Sequence, residues 1–377
     1  MKKTFSERVY GFLWHLLRWP VKKIFAFTCD EDRQDEPALI ISNHVTNFDP
    51  ILVAYSFPGR RFHFVASEHL FRKGLISKVL NFLFEPIARR KGVSGGDTAM
   101  ACLRKLKAGK SVCIFAEGET TWDGCTAEIF AATGRMAKMS GARLLTYRLE
   151  GGYLTAPRWG KGIRRGKMMG RIVGTYSPEE LKALSRDEVT ALIQRDIAEN
   201  AALRQKQHPV AYGKRRLAER LEAVIFHCPH CGGGDLHSKG NFLFCACGQK
   251  WEYTPFGTFE PAAPFETVAQ WDAWQRAELE KETEPTFAQE NMTLFELEDG
   301  HHQKQLGIGE LRLEKGILRC CDEAFPLQEI SNMALVQTNL LLFSVGSRYF
   351  EVKSPKSCCL RKFLLAWQNT GCAQSVL

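Results

Sequence analysis

The stretch ALIISNHVTNFD, Ala38 to Asp49, decides how the first half of the chain is read. Ala38-Leu39-Ile40-Ile41 is short, apolar and bounded by polar residues, the pattern of a buried strand. Asp49-Pro50 then opens a helix, because proline at the first helical position sacrifices no needed N–H and the aspartate before it can cap free amides. Proline also pushes residue 49 out of the α region, so residues 44 to 49 form a turn between strand and helix. His44 therefore stands at the carboxyl end of a strand with a carboxylate a short turn away, the arrangement a general base requires. A His-x4-Asp spacing recurs by chance, so its surroundings have to decide its meaning.

Working outward, Arg61 to Ala66 reads as a strand and Ile76 to Phe84 as an apolar helix, with Pro86 forbidding its continuation. Gly95-Gly96 precede a helix from Thr98 to Leu106 that ends at Lys107 and Gly109. Ser111 to Phe115 is a second buried strand and runs directly into Ala116-Glu117-Gly118-Glu119. Capped helices start at Ser177 and at Arg186, the second reaching about Ala202. Alternating strands and helices predict an α/β sheet, whose ligands bind outside the carboxyl ends of the strands. His44 and Glu117 both emerge there, so one crevice can hold both.

The chain has 377 residues, 45% of them hydrophobic and 25% charged, and a net charge of +9. Residues 255 to 300 hold eleven acids against two bases, which leaves about +18 on the remainder. Basic clusters in the first 23 residues, at Arg158 to Arg171 and at Arg204 to Arg220 suit anionic lipid, nucleic acid or a phosphorylated substrate. Lys2, Lys3 and the run Val9 to Leu17 imitate a signal peptide, but Arg18, Lys22 and Lys23 stand where a cleavage site should lie. Thirteen cysteines then fit a reducing cytoplasm, as metal ligands or core thiols. No apolar run reaches the length of a membrane span. Residues 1 to 29 instead read as an interfacial helical segment. Phe5, Val9, Phe12, Leu13 and Leu16 share a helical face, flanked by Arg8, Arg18, Tyr10, Trp14 and Trp19, with Pro20 expected to break or kink the helix. Peripheral association with the inner face of the membrane is the expectation.

Three motifs in order resemble the lysophosphatidate acyltransferases, the glycerolipid acyltransferases that make phosphatidic acid. Asn-His-x4-Asp appears as Asn43, His44 and Asp49; a hydrophobic pair with arginine appears as Ile87-Ala88-Arg89. Phe-Pro-Glu-Gly-Thr-Arg is matched as Phe115-Ala116-Glu117-Gly118-Glu119-Thr120, and an apolar fourth strand as Leu144 to Tyr147. The resemblance covers roughly residues 1 to 205 and implies an α/β acyltransferase domain over residues 30 to 205. It implies His44 as the base, oriented by Asp49, for acyl transfer from acyl-CoA or acyl carrier protein to the free hydroxyl of lysophosphatidate. It further implies that Asn43, Glu117, Gly118 and Arg89 hold the acceptor. The third-motif arginine is Thr120 here and its proline is Ala116; an arginine fork binds phosphate in a way threonine cannot reproduce. Arg148, Arg158 and Lys161 are the nearest replacements by sequence, and another lysophospholipid or a non-phosphate acceptor stays open.

Beyond a basic linker, residues 206 to 225, with a helix expected over Lys214 to Glu222, residues 226 to 256 form a separate module. Cys228-Pro-His-Cys231 and Cys245-Ala-Cys247 are two close thiol pairs thirteen residues apart, the signature of a structural zinc ribbon. All four positions are filled by protein, which leaves no open site for catalysis. Zinc ribbons also serve nucleic-acid machinery, so a lipid- or nucleic-acid-binding regulator with a degenerate acyltransferase domain is the rival; nucleic acid is the less favoured partner. Residues 257 to 290 read as an acidic, helical linker around Trp271 and Trp274. Residues 291 to 377 read as short strands closed by an amphipathic helix with Leu360, Phe363, Leu364 and Trp367 on one face, a mainly β, pleckstrin-homology-like domain.

Overall fold

The computed structural model describes residues 5–34, 36–67, 75–89, 96–298, 302–355 and 358–371. Lys2, Lys3 and Gly95, used in the sequence reading, lie outside these residues. The chain divides into two compact units, the first ending at Gly213 and the second beginning at Lys214, with Trp159–Lys161 counted in the second.

The first unit is built on a seven-stranded mixed sheet. In chain order its elements are α1 (Phe5–Phe25), β1 (Phe27–Cys29), β2 (Ala38–Ser42), α2 (Asp49–Ser56), β3 (Phe62–Ser67), α3 (Leu75–Phe84), β4 (Ile87–Arg89) and α4 (Gly96–Lys107). They continue with β5 (Ser111–Phe115), α5 (Ala132–Ser140), β6 (Arg143–Glu150), α6 (Gly152–Thr155), β7 (Met168–Tyr176), α7 (Pro178–Ala183), α8 (Arg186–Ile197) and α9 (Ala201–Gln207). The strand order is β1-β7-β6-β2-β5-β3-β4, with every pairing parallel except β6–β7. β2 is central, and its alternation sorts the two cores. Ala38 and Ile40 face one core with Val21 and Phe25 of α1 and Leu52 and Val53 of α2. Leu39 and Ile41 face the other with Leu106 of α4, Ala137 of α5 and Val189 and Ile193 of α8. Both faces are covered, which is why β2 reads as an unbroken apolar run.

β7 went unseen in the sequence because the basic run before it reads as loop and glycines interrupt it. Those glycines admit close packing: a Cβ on Gly170 would lie 1.7 Å from the Tyr147 hydroxyl. α1 is continuous through Pro20, so of the expected break or kink the break does not occur. A mid-helix proline removes one hydrogen bond, here to the carbonyl of exposed Leu16, while Tyr10 and Trp14 pin the opposite face. The Tyr10 hydroxyl donates to Arg60 O at 3.0 Å, and Trp14 Nε1 donates to Ala54 O at 2.9 Å. The outward face carries Phe5, Phe12 and Trp19, each at least 67% exposed, with Leu16 beside them.

The second unit holds two antiparallel sheets. The smaller has the order β11-β10-β9-β8, from β8 (Leu236–Lys239), β9 (Phe242–Cys245), β10 (Lys250–Tyr253) and β11 (Phe259–Glu260). After α10 (Val268–Lys281) come β12 (Phe287–Glu298), β13 (His302–Glu314), β14 (Ile317–Cys320), β15 (Glu323–Pro326), β16 (Ile330–Val336), β17 (Leu340–Val345), β18 (Arg348–Lys353) and α11 (Arg361–Asn369). Their order is β15-β14-β13-β12-β18-β17-β16. A four-strand and a three-strand meander joined through β12–β18, with a C-terminal helix, make the expected all-antiparallel β domain. α11 buries Phe363, Leu364 and Trp367, and Trp367 Nε1 donates to Ile330 O at 3.0 Å. The helix expected over Lys214 to Glu222 is only a 3₁₀ turn at Leu221–Ala223.

Candidate active site

The site is built on the turn after β2. His44 Nδ1 lies 2.7 Å from Asp49 Oδ2. The aspartate is wholly buried, and the imidazole keeps a fifth of its surface exposed. Asp49 begins α2, yet its carboxylate does not cap that helix; the cap position is Phe48, with no side-chain cap. It turns back instead, accepting from Val45 N at 2.6 Å, from Thr46 N at 3.0 and 3.1 Å and from the Thr46 hydroxyl at 2.8 Å. A buried carboxylate needs such donors, because desolvation without them is severe. The ring packs on Phe115 of β5, centroids 4.4 Å apart and planes 19° from parallel. With Nδ1 turned to Asp49, Nε2 is the nitrogen available to a substrate.

The neighbouring strands hold the same turn. Asn43 is fully buried; its Nδ2 donates to Leu149 O at 2.9 Å and its Oδ1 accepts from Leu149 N at 2.7 Å. Glu117 reaches from the carboxyl end of β5. Its Oε1 accepts from His44 N at 2.6 Å and its Oε2 from Ala127 N at 2.7 Å. Thr121 N donates to His44 O at 2.9 Å. Thr46, Thr121 and Ala127 had been assigned no role from the sequence, and Phe115 only a place in the third motif. Thr46 alone carried a signal, as a hydroxyl inside the His-x4-Asp turn.

Gly118 adopts φ +77° and sits so close to Phe130 that a Cβ would lie 2.8 Å from its ring. Only glycine meets both demands. The guanidinium of Arg89 lies over that same ring, 4.7 Å from the Phe130 centroid. Burial lowers the pKa of Arg89, and among the described residues no carboxylate pairs with it. Arg148 is committed elsewhere: its Nε donates to Glu150 Oε1 at 3.1 Å and its Nη1 to Ala198 O at 3.3 Å. Arg158 lands on the third motif, with Nη1 2.6 Å from Glu119 Oε2 and 3.1 Å from Thr120 O, and its guanidinium 3.9 Å from the Trp122 ring. Thr120 itself is buried. Lys161 falls in the second unit.

In the second unit, the sulfur atoms of Cys228, Cys231, Cys245 and Cys247 all lie within 4.8 Å of one another. Cys228 and Cys247 are 3.8 Å apart, and Cys231 and Cys245 are 3.7 Å apart. Tetrahedral zinc with Zn–S bonds of ~2.3 Å requires sulfurs separated by ~3.8 Å, so the cluster fits that ion.

Residues 25–150 match the family model described as Acyltransferase, and the first unit therefore contains an acyltransferase-family domain. The crystal structure of the 1-acyl-sn-glycerophosphate (LPA) acyltransferase PlsC from Thermotoga maritima is similar to this chain. The two share 18% sequence identity over 52% of this chain and 83% of that chain, with a TM-score of 0.40.

Burial pushes the Glu117 carboxyl up to about 8, with the charges of Asp49 and Asp123 adding to the rise and the His44 and Ala127 amides opposing it. A carboxyl raised on folding favours the folded state most at pH below its unfolded value of 4.5, and that advantage disappears as pH climbs through about 8. Thermal unfolding of wild type and Glu117→Gln between pH 5 and 8 should show a stability gap that shrinks as pH rises. Parallel curves would contradict this.

Proposed function

We propose that the protein is an acyltransferase that moves a fatty acyl group from an acyl thioester, on CoA or acyl carrier protein, to the free hydroxyl of lysophosphatidate or a related lysophospholipid. The observation that carries this reading is the His44–Asp49 contact, made by a buried, fully hydrogen-bonded carboxylate inside the segment that matches the acyltransferase family. A hydroxyl is a weak nucleophile at neutral pH and needs a placed base. His44 Nε2 takes the acceptor's proton while its oxygen attacks the thioester carbonyl carbon. The C–S bond breaks, and the departing thiolate recovers the proton from the imidazolium. Asp49 keeps the ring oriented with its proton on Nδ1 and stabilises the imidazolium as it forms. The thioester already carries a good leaving group, so no covalent enzyme intermediate is required.

Arg89 supports an anionic acceptor, because a half-buried guanidinium that no carboxylate pairs with among the described residues gains a counter-charge from phosphate. Arg158 brings a cation to the segment whose motif arginine is Thr120, but it arrives paired with Glu119. The acceptor class is therefore broader in this reading than lysophosphatidate alone. Among the described residues no helix is long and apolar enough to cross a membrane. The exposed Phe5, Phe12, Leu16 and Trp19 of α1, with Lys22 and Lys23 in its last turn, support peripheral docking at an anionic inner membrane face. The four cysteines hold zinc as a structural ion in the same reading.

Incubation of the purified protein with labelled acyl-CoA or acyl carrier protein and a panel of lysolipids should yield acylated lysophospholipid. His44→Ala should lower the rate by ~10²–10⁴-fold, the usual contribution of a placed base. No product from any pair, or a fully active His44→Ala protein, would refute the reading. Elemental analysis should find zinc in wild type and lose it in Cys228→Ser/Cys245→Ser; equal zinc in both would refute the metal site.

A further inference from the structure

Every backbone N–H from His44 to Thr46 ends on a buried carboxylate. His44 N donates to Glu117, and Val45 N and Thr46 N donate to Asp49. The carbonyl of His44 accepts from Thr121 N, and the residue before it is tied to both backbone groups of Leu149 through the Asn43 amide. Asn43 has thereby used its carboxamide as a surrogate strand neighbour, and nothing of it is exposed. Glu117 is 7% exposed, and each of its oxygens already accepts a short amide hydrogen bond. The two amides it joins belong to different segments, the histidine turn and the loop between β5 and α5 that contains Ala127.

We infer that Asn43 and Glu117 are positioning residues: they lock the backbone of the histidine turn to β6 and to the 121–127 loop, and do not bind the acceptor as the resemblance implies. An acceptor-binding carboxylate needs an oxygen to offer. A Glu117 that turned toward substrate would strip two buried amides of their partner, and an unsatisfied buried amide is costly. The same two bonds fix where the His44 Cα and its ring stand, and small misplacements of a base are expensive in rate. Thr121 completes the lock from the opposite side, since the loop that receives Glu117 at Ala127 also donates to the His44 carbonyl.

The kinetic part rests on the acyltransferase reading, whereas the exchange part needs no substrate. Hydrogen exchange of the full chain, without ligand, compares wild type with Glu117→Ala, Glu117→Gln and Asn43→Ala. Peptides spanning residues 43–48 and 121–128 should exchange ~10-fold or more faster in Glu117→Ala, the scale of one lost buried hydrogen bond. Peptides from β3 should be unchanged. Glu117→Gln keeps one acceptor oxygen and should retain protection in only one of the two segments; Asn43→Ala should loosen 43–48 and the end of β6. With acyl thioester and lysolipid, kcat should fall and the acceptor KM should hold. Unchanged exchange in the folded variants, or a raised acceptor KM with kcat intact, would overturn the assignment. Absence of acyl transfer in wild type would overturn the acyltransferase reading and leave the exchange result to decide this one.

Discussion

The structure of the first unit depends on one buried carboxylate. Asp49 gathers the His44 ring, two successive backbone amides and the Thr46 hydroxyl around two oxygens. A wholly buried charge is tolerated only when its hydrogen-bonding capacity is filled, and here filling it dictates the path of the chain from β2 into α2. Replace the carboxylate and the amides of Val45 and Thr46 lose their partners together with the ring. The His44–Asp49 geometry and the local fold are therefore the same set of bonds, and a change to either is felt by both.

The surroundings extend that constraint outward. β5 supplies Phe115 against the imidazole and Glu117 beneath its amide; β6 supplies Leu149 to Asn43; the loop after β5 supplies Thr121. β5 and β6 both pair in parallel with β2, so the three carboxyl ends meet at one edge, the place where open α/β sheets collect ligands. Gly118 then allows Phe130 to lie flat beneath Arg89, which brings a cation to the same edge. The acyltransferase-family domain thus places an imidazole, the carboxylate that orients it and a positive charge on one rim, while the outward face of α1 leaves Phe5, Phe12 and Trp19 exposed.

Much of this was legible in the residues. The apolar run Ala38 to Ile41 announced a strand buried on both faces, Asp49-Pro50 announced a helix start, and the close thiol pairs of Cys228/Cys231 and Cys245/Cys247 announced a shared site. What stayed hidden has identifiable physical reasons. The resemblance assigns Glu117 to the acceptor, and no spacing in the sequence shows that the register of β2 and β5 sets it against His44 N. Asp49 reads as a helix cap because capping is the commonest use of aspartate before proline, and the competing amides lie upstream in a turn of no fixed shape. β7 is masked by arginines and glycines, and packing of Gly170 against Tyr147 and of Gly174 against Tyr176 explains the glycines only in the folded chain. The continuity of α1 through Pro20 is likewise decided by Tyr10 and Trp14 docking on the domain, not by helix propensity.

Nitrogen-15 NMR of histidine-labelled protein, read at His44, tests the central geometry directly. A proton held on Nδ1, with strong coupling to a downfield-shifted hydrogen and an unprotonated Nε2 in the neutral ring, is the expected spectrum for an imidazole oriented by Asp49. A neutral His44 carrying its proton on Nε2, or exchanging freely between the two nitrogens, would contradict it.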